Sequence, residues 1–131
     1  MHEDELNNLS GKIIGACIEV HRELGPGLME FVYVDCLCHE LKLMGLSFVR
    51  EVPVPVRYKG IEVRSNLRAD ILVENEIIVE VKAVNKLNSL FEAQLMTYLK
   101  LAHKELGLLI NFNVNLLKEG LHRVRINHGT N

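Results

Sequence analysis

The chain has 131 residues, 48% of them hydrophobic and 24% charged, with a formal net charge of −2. That length fits one domain, read as spanning 1–131 with 1–8 loose and 127–131 a tail, and the apolar share is enough for a real core. No run of about 18 apolar residues predicts a membrane span, the acidic start lacks the layout of a signal peptide, and the mild negative charge counts against a strong non-specific nucleic-acid binder.

Helical spacing begins the chain. Apolar residues recur at Ile13, Ile14, Cys17, Val20 and Leu24, with His21 on the same side. This predicts a helix from about Leu9 to Leu24, with Ser10 as its N-cap. His21 either approaches Glu30 or is a buried, satisfied histidine. Gly25-Pro26-Gly27 breaks the helix. A second helix follows over about 28–44, with Tyr33, Val34, Leu37, Leu41 and Met44 on one face and Gly45 as its stop. Glu30 falls on the same stripe as Tyr33 and Leu37. It is either an acid that needs a partner, which a metal ion or its water would supply, or a first-turn Glu favoured by the helix dipole. Cys17, Cys36 and Cys38 sit in apolar segments, and an odd count without CxxC spacing argues against a disulfide framework or a zinc site. They read as packing residues in a reducing cytoplasm.

From Ser47 the chain is extended, and Pro53 and Pro55 place it at a sheet edge. Lys59-Gly60 predicts a hairpin turn into a strand at 61–64. Arg50, Arg57, Lys59, Arg64 and Arg68 crowd this region, as a local basic face or as the solvated edge of a sheet. Strands follow at 67–73 and 77–84, joined by the turn Glu74-Asn75-Glu76. Ser89-Leu90-Phe91-Glu92 has the capping-box pattern and opens a helix to about His103. In that helix Phe91, Leu95 and Leu99 read most simply as core. The apolar run 106–112 suits a buried strand, and 124–126 adds a last short one. The expectation is an α/β domain, a central mixed sheet flanked by helices, in the rough order ααβββαββ.

The hairpin 68–82 carries the chemistry. Glu80 and Lys82 share one face of an otherwise apolar strand, and Asp70 comes from its neighbour. Burying charge is costly unless it is paired or metal-bound. Two carboxylates, with the Val81 carbonyl as a further oxygen, suit Mg²⁺. Such an ion polarises a phosphoryl oxygen, and Lys82 would stabilise the growing charge or orient the water. The other reading is a surface hairpin whose Glu80–Lys82 couple is solvated. Gln94 and Tyr98, four apart, share a helical face. They either support the site by hydrogen bonds or make a half-buried face. Arg68 and Lys86 flank the hairpin as candidates for substrate contact.

Gly27-x-x-Glu30-x-x-Tyr33 resembles the signature of the GxxExxY protein family. The resemblance covers about Ile13 to Ile126. It includes Gly25-Pro26-Gly27, Arg68-Ala69-Asp70, Val79-Glu80-Val81-Lys82-Ala83, Glu92-Ala93-Gln94-Leu95 with Tyr98, and Gly107 to Phe112. That family is assigned to the PD-(D/E)XK nuclease superfamily, and the Gln-x-x-x-Tyr element is similar to that of RecB-type nucleases. The resemblance implies a restriction-endonuclease-like fold and a phosphodiesterase site dependent on Mg²⁺ or Mn²⁺. Asp70 and Glu80 match the metal-binding acids and Lys82 the catalytic lysine. Glu30 matches the extra acid, and Gln94 and Tyr98 the accessory helix motif. Ala69 stands where the superfamily's name has Pro. The expected partner is nucleic acid, DNA first, with no membrane. A homodimer or a larger protein partner would help so small a chain grip a duplex. Competing readings are a nuclease-fold module that binds nucleic acid or protein without turnover, and a phosphoryl-transfer enzyme for small phosphoesters.

Overall fold

A computed structural model describes residues 2–128. The first helix, α1, spans Glu3–Leu24, and α2 spans Glu30–Leu43. Five strands follow: β1 Phe48–Pro53, β2 Val56–Tyr58, β3 Ile61–Val63, β4 Arg68–Val73 and β5 Ile77–Lys82. Helix α3, Ser89–Ala102, leads to β6 Leu106–Asn111, a 3₁₀ turn Leu117–Gly120 and β7 Leu121–Arg125. The main sheet is mixed, with strand order β1-β4-β5-β6-β7, while β2 and β3 form a separate two-stranded ribbon. Strands β5 and β6 are parallel and every other pair is antiparallel. Helix α3 is the crossover between the parallel pair, as such a connection requires. Among the described residues, no helix is long and apolar enough to cross a membrane.

The two faces of the sheet are packed differently. Helices α1 and α2 cover one face, where Ile13, Cys17, Tyr33, Leu37 and Leu41 meet Ile71, Val79, Val81, Leu108 and Phe112. Helix α3 covers the other, where Leu95, Tyr98 and Leu99 meet Ala69, Ile78 and Leu109. Strand alternation therefore sends Val79 and Val81 into the larger core and leaves Ile78, Glu80 and Lys82 on the α3 side. All of β6 is buried. At Gly107 an added Cβ would lie 2.8 Å from Leu95 Cδ1, so glycine lets α3 sit close against the sheet.

Several local expectations change. Residues 3–8 are the first turns of α1 and not a loose lead-in, because Leu6 and Leu9 extend the buried stripe. The acidic first turn, Glu3, Asp4 and Glu5, suits the positive end of the helix. Ser10 is not a cap but a buried mid-helix residue. At α3 the cap is Asn88, whose Oδ1 accepts from the Leu90 amide at 2.9 Å, and not Ser89. Before α3 there are five strands where the expected order had three; one of the two added comes from Pro53-Val54-Pro55, which divides the extended stretch into β1 and β2. The last strand begins at Leu121, earlier than expected. Of the expected tail, 129–131 lie outside the described residues. The edge placement of the proline-bearing strand, the Gly45 stop and both hairpin turns agree with the sequence.

Candidate active site

The site forms where β4 and β5 part. Their paired residues run Val73↔Ile77, Leu72↔Ile78 and Ile71↔Val79, and end there. One step further, Asp70 and Glu80 take over the work of the ladder with their side chains. The Asp70 amide donates to Glu80 Oε1 at 3.0 Å, and the Val81 amide donates to Asp70 Oδ2 at 2.8 Å. Each acid thus satisfies a backbone amide that the parting strands would otherwise leave unpaired. On the other side of β4, the pairs with β1 pass from Arg50↔Ile71 to Val52↔Ala69 and skip Glu51. Glu51 has a left-handed φ of 52°. Asp70 therefore sits at a break in pairing on both of its neighbours.

Glu80 is buried, at 5% exposure. Its carboxyl is pushed up to about 8, first by burial and then by the charge of Asp70, with partial relief from the Asp70 amide and Lys82. Burial beside a second acid favours the protonated form of Glu80. A divalent cation would replace that proton.

The donor chemistry fits such an ion. Each carboxylate uses one oxygen on an amide, and hard cations take carboxylate oxygens. Among the described residues there is no group of three His, Cys, Asp or Glu placed to cage a metal. A divalent-ion site built on one or two carboxylates and several waters fits the donor set of Asp70 and Glu80.

The other expected residues gather at different distances. Glu30 opens α2 and is exposed, not turned inward as its stripe implied. Its carboxyl is raised by partial burial and by Asp70, and lowered by Lys82, so it shares their electrostatic field. Its position depends on the loop before it. The Tyr33 hydroxyl donates to the Gly25 carbonyl at 2.6 Å and accepts from the Leu28 amide at 3.1 Å. Tyr33 also stacks on Phe112, with ring centroids 4.6 Å apart. Asn113 Oδ1 accepts from the amide of Gly27, whose φ of 103° needs glycine. The Gly-x-x-Glu-x-x-Tyr spacing is thus a clamp: Gly27 turns the chain, Tyr33 buckles the loop, and Glu30 is presented between them.

Lys82 ends β5, half-buried, with Nζ 4.9 Å from the centre of the Phe91 ring. It makes no ion pair among the described residues. Tyr98 is buried, and its hydroxyl is raised by burial and then by the charges of Glu80 and Asp70. Helix α3 thus brings Tyr98 to the acids. Gln94 is half-buried and makes no hydrogen bond among the described residues. Val81 lies between Glu80 and Lys82, with its amide held by Asp70. Arg68 is exposed and reaches the Glu51 carbonyl at 3.5 Å, while Lys86 is exposed in the loop after β5. His21 does not serve Glu30; its Nε2 pairs with the Val114 carbonyl at 2.8 Å.

Two further residues stand beside the site. Phe91, expected as plain core, is the platform under Lys82. Asn111, the register partner of Lys82 on β6, is buried and clasps Val84 by its amide and carbonyl at 3.0 and 2.9 Å. This clasp fixes the chain as it leaves Lys82. A polar residue closing an apolar run was the available signal, because a buried amide needs partners.

A mixed sheet with helices on both faces, and facing acids at a strand break on one of them, defines an α/β domain with a candidate cation site. The model of the PD-(D/E)XK nuclease superfamily matches residues 7–124, and the chain belongs to that superfamily. Neither a curated protein nor a solved structure gives a match. Nucleases of this superfamily generally use divalent metal ions and act on nucleic acids.

Proposed function

We propose that the chain is a Mg²⁺- or Mn²⁺-dependent nuclease that hydrolyses phosphodiester bonds of DNA. The observation that carries this reading is the reciprocal contact of Asp70 and Glu80 at the strand break, with Lys82 two residues on. We read Gly27, Glu30 and Tyr33 as the GxxExxY signature, and Gln94 with Tyr98 as the Gln-x-x-x-Tyr element. When bound, the metal ion supplies Lewis-acid polarisation of the phosphate and a more acidic water. Asp70 and Glu80 would hold it, and the Val81 carbonyl would offer a further oxygen. Lys82 stabilises the negative charge that grows on the phosphoryl oxygens as water attacks and the ester P–O bond breaks. Lys82 makes no ion pair among the described residues, which leaves that charge available. Glu30 accepts a hydrogen bond from a water at the outer side of the pair. Tyr98 and Gln94 donate from α3, and Arg68 and Lys86 contact the phosphate backbone. The three free cysteines support a reducing, cytoplasmic setting.

Calorimetry with Mn²⁺ tests the metal site: wild type binds and Asp70→Ala does not. Nuclease assays with Mg²⁺ and Mn²⁺ on single- and double-stranded DNA test the chemistry. Lys82→Ala should lose about 10²-fold or more in kcat. Activity that survives Lys82→Ala assigns the chemistry elsewhere. A wild type without metal binding leaves the competing reading, a nuclease-fold module without turnover. That reading is favoured by the engagement of both acids with backbone amides.

A further inference from the structure

The ribbon of β2 and β3 has no place in either core. Every residue from Arg57 to Asn66 is exposed, including Tyr58 at 59% and Ile61 at 61%. A lone two-stranded hairpin is marginal in water, so apolar side chains held out on one call for an occupant. Its charge says which kind. Residues 57–68 carry Arg57, Lys59, Arg64 and Arg68 against the single acid Glu62, within a chain of net charge −2. Glu62 pairs with Arg57 at 3.6 Å. Lys59, Arg64 and Arg68 form no ion pair among the described residues.

The ribbon is also aimed. Its two ends are rooted by Val54 and Leu67, joined by a hydrogen bond of 2.9 Å from the Val54 amide to the Leu67 carbonyl. Both residues pack in the α3-side cluster that contains Tyr98 and Ala69. That is the face on which Glu80 and Lys82 lie. From Leu67 the chain runs directly through Arg68 to Asp70. A groove of about 520 Å³ lies at the ribbon's base, lined by Pro53, Glu62, Arg64 and Leu67 among others.

We infer that the β2–β3 ribbon is a duplex-DNA grip that enters the major groove and sets the strand against the Asp70–Glu80 pair. This rests on the nuclease reading for its purpose but not for its test. A B-form major groove, about 12 Å wide, admits a two-stranded ribbon. The deep, narrow major groove of A-form RNA does not. Lys59 and Arg64 contact phosphates, and Tyr58 and Ile61 at the tip meet base edges or thymine methyl groups.

Fluorescence anisotropy with a short labelled DNA duplex, in EDTA and separately in Ca²⁺, tests the grip. Lys59→Ala/Arg64→Ala should bind about tenfold or more weakly, and its salt slope should fall by about 2. Lys12→Ala/Lys118→Ala removes the same charge elsewhere and should bind as wild type does. Circular dichroism and the Mn²⁺ titration should match wild type for both, which excludes misfolding. A matched RNA duplex should bind at least tenfold more weakly than DNA. Equal affinity of the ribbon variant and wild type, equal loss in the control pair, equal binding of RNA, or no DNA binding by wild type overturns the proposal. Failure of Mn²⁺ to bind wild type, with ribbon-dependent DNA binding intact, overturns the nuclease reading and leaves the grip standing.

Discussion

Strand β5 serves two interiors at once, and they obey different rules. Toward α1 and α2 it offers Val79 and Val81, dry and fully buried among aliphatic side chains and the Tyr33–Phe112 stack. Toward α3 it offers Ile78, then Glu80 and Lys82, so a hydrophobic face turns ionic within two residues. The first face stabilises the fold by removing apolar area from water. The second holds a buried acid against another acid, which works against stability until something positive is bound. The same backbone can carry both because side chains alternate. Truncating an aliphatic side chain on the first face and neutralising the buried acid on the second should therefore have opposite signs.

The largest effect is expected on the α1/α2 face. Leu37 is fully buried there, and Leu37→Ala leaves a cavity costing about 2–5 kcal/mol. Urea denaturation at neutral pH measures it. A loss under about 1 kcal/mol would show that this face is not the main source of stability.

Glu80→Gln should act the other way. The folded protein raises the Glu80 carboxyl from 4.5 to about 8, so between those values the native state binds more protons than the unfolded chain. The contribution to stability is full below the lower value and is lost as pH rises through the upper one. Metal-free wild type should thus weaken from acid to mildly alkaline pH by on the order of a few kcal/mol. Glu80→Gln should flatten that profile and melt higher than wild type above pH 8, while losing the Mn²⁺-induced rise in Tm. A wild-type profile that climbs across this range would contradict the assignment.

These two faces were unequally legible in the sequence. The aliphatic face announced itself through period: Ile13, Cys17 and Val20 on one helix, Tyr33, Leu37 and Leu41 on the next, and the run 106–112. The acid pair was legible because Glu80 and Lys82 interrupt an apolar strand. Helical spacing predicts an inward Glu30, yet it lies exposed, since it begins α2 at the very turn where the helix leaves the loop. The amide contacts of Asp70 and Glu80 were not legible, because they depend on the strands parting after Ile71↔Val79. No local pattern marks where a ladder ends. Asn88 and Ser89 illustrate a smaller ambiguity: both are good caps, and only the backbone decides which one precedes the first helical residue.

Tyr33→Phe sharpens the boundary between the faces. The ring belongs to the dry core, and the hydroxyl belongs to the loop that presents Glu30. Removing the oxygen keeps the stack on Phe112 and breaks two hydrogen bonds. The expected cost is about 1–2 kcal/mol in stability. Amide exchange should quicken at Leu28 while the α3 face keeps its protection. Uniform quickening across the sheet would mean that Tyr33 acts on the core alone.

The smallest effect tests whether the α3 face arranges its charges or only tolerates them. Phe91 lies under the Lys82 ammonium at 4.9 Å and is half-buried at the start of α3. A cation over an aromatic ring gains about 0.5–1 kcal/mol at such a site, which corresponds to about a two- to fivefold change in rate if the contact positions Lys82. Phe91→Leu keeps the volume roughly constant and removes the ring, so stability should move by less than about 1 kcal/mol. The value of kcat should fall by that two- to fivefold while KM holds. Phe91→Tyr, which keeps the ring face, should restore kcat. If Phe91→Leu matches wild type in kcat, or Phe91→Tyr is as impaired as Phe91→Leu, the ring is packing alone and Lys82 is positioned by the Asn111 clasp on β6.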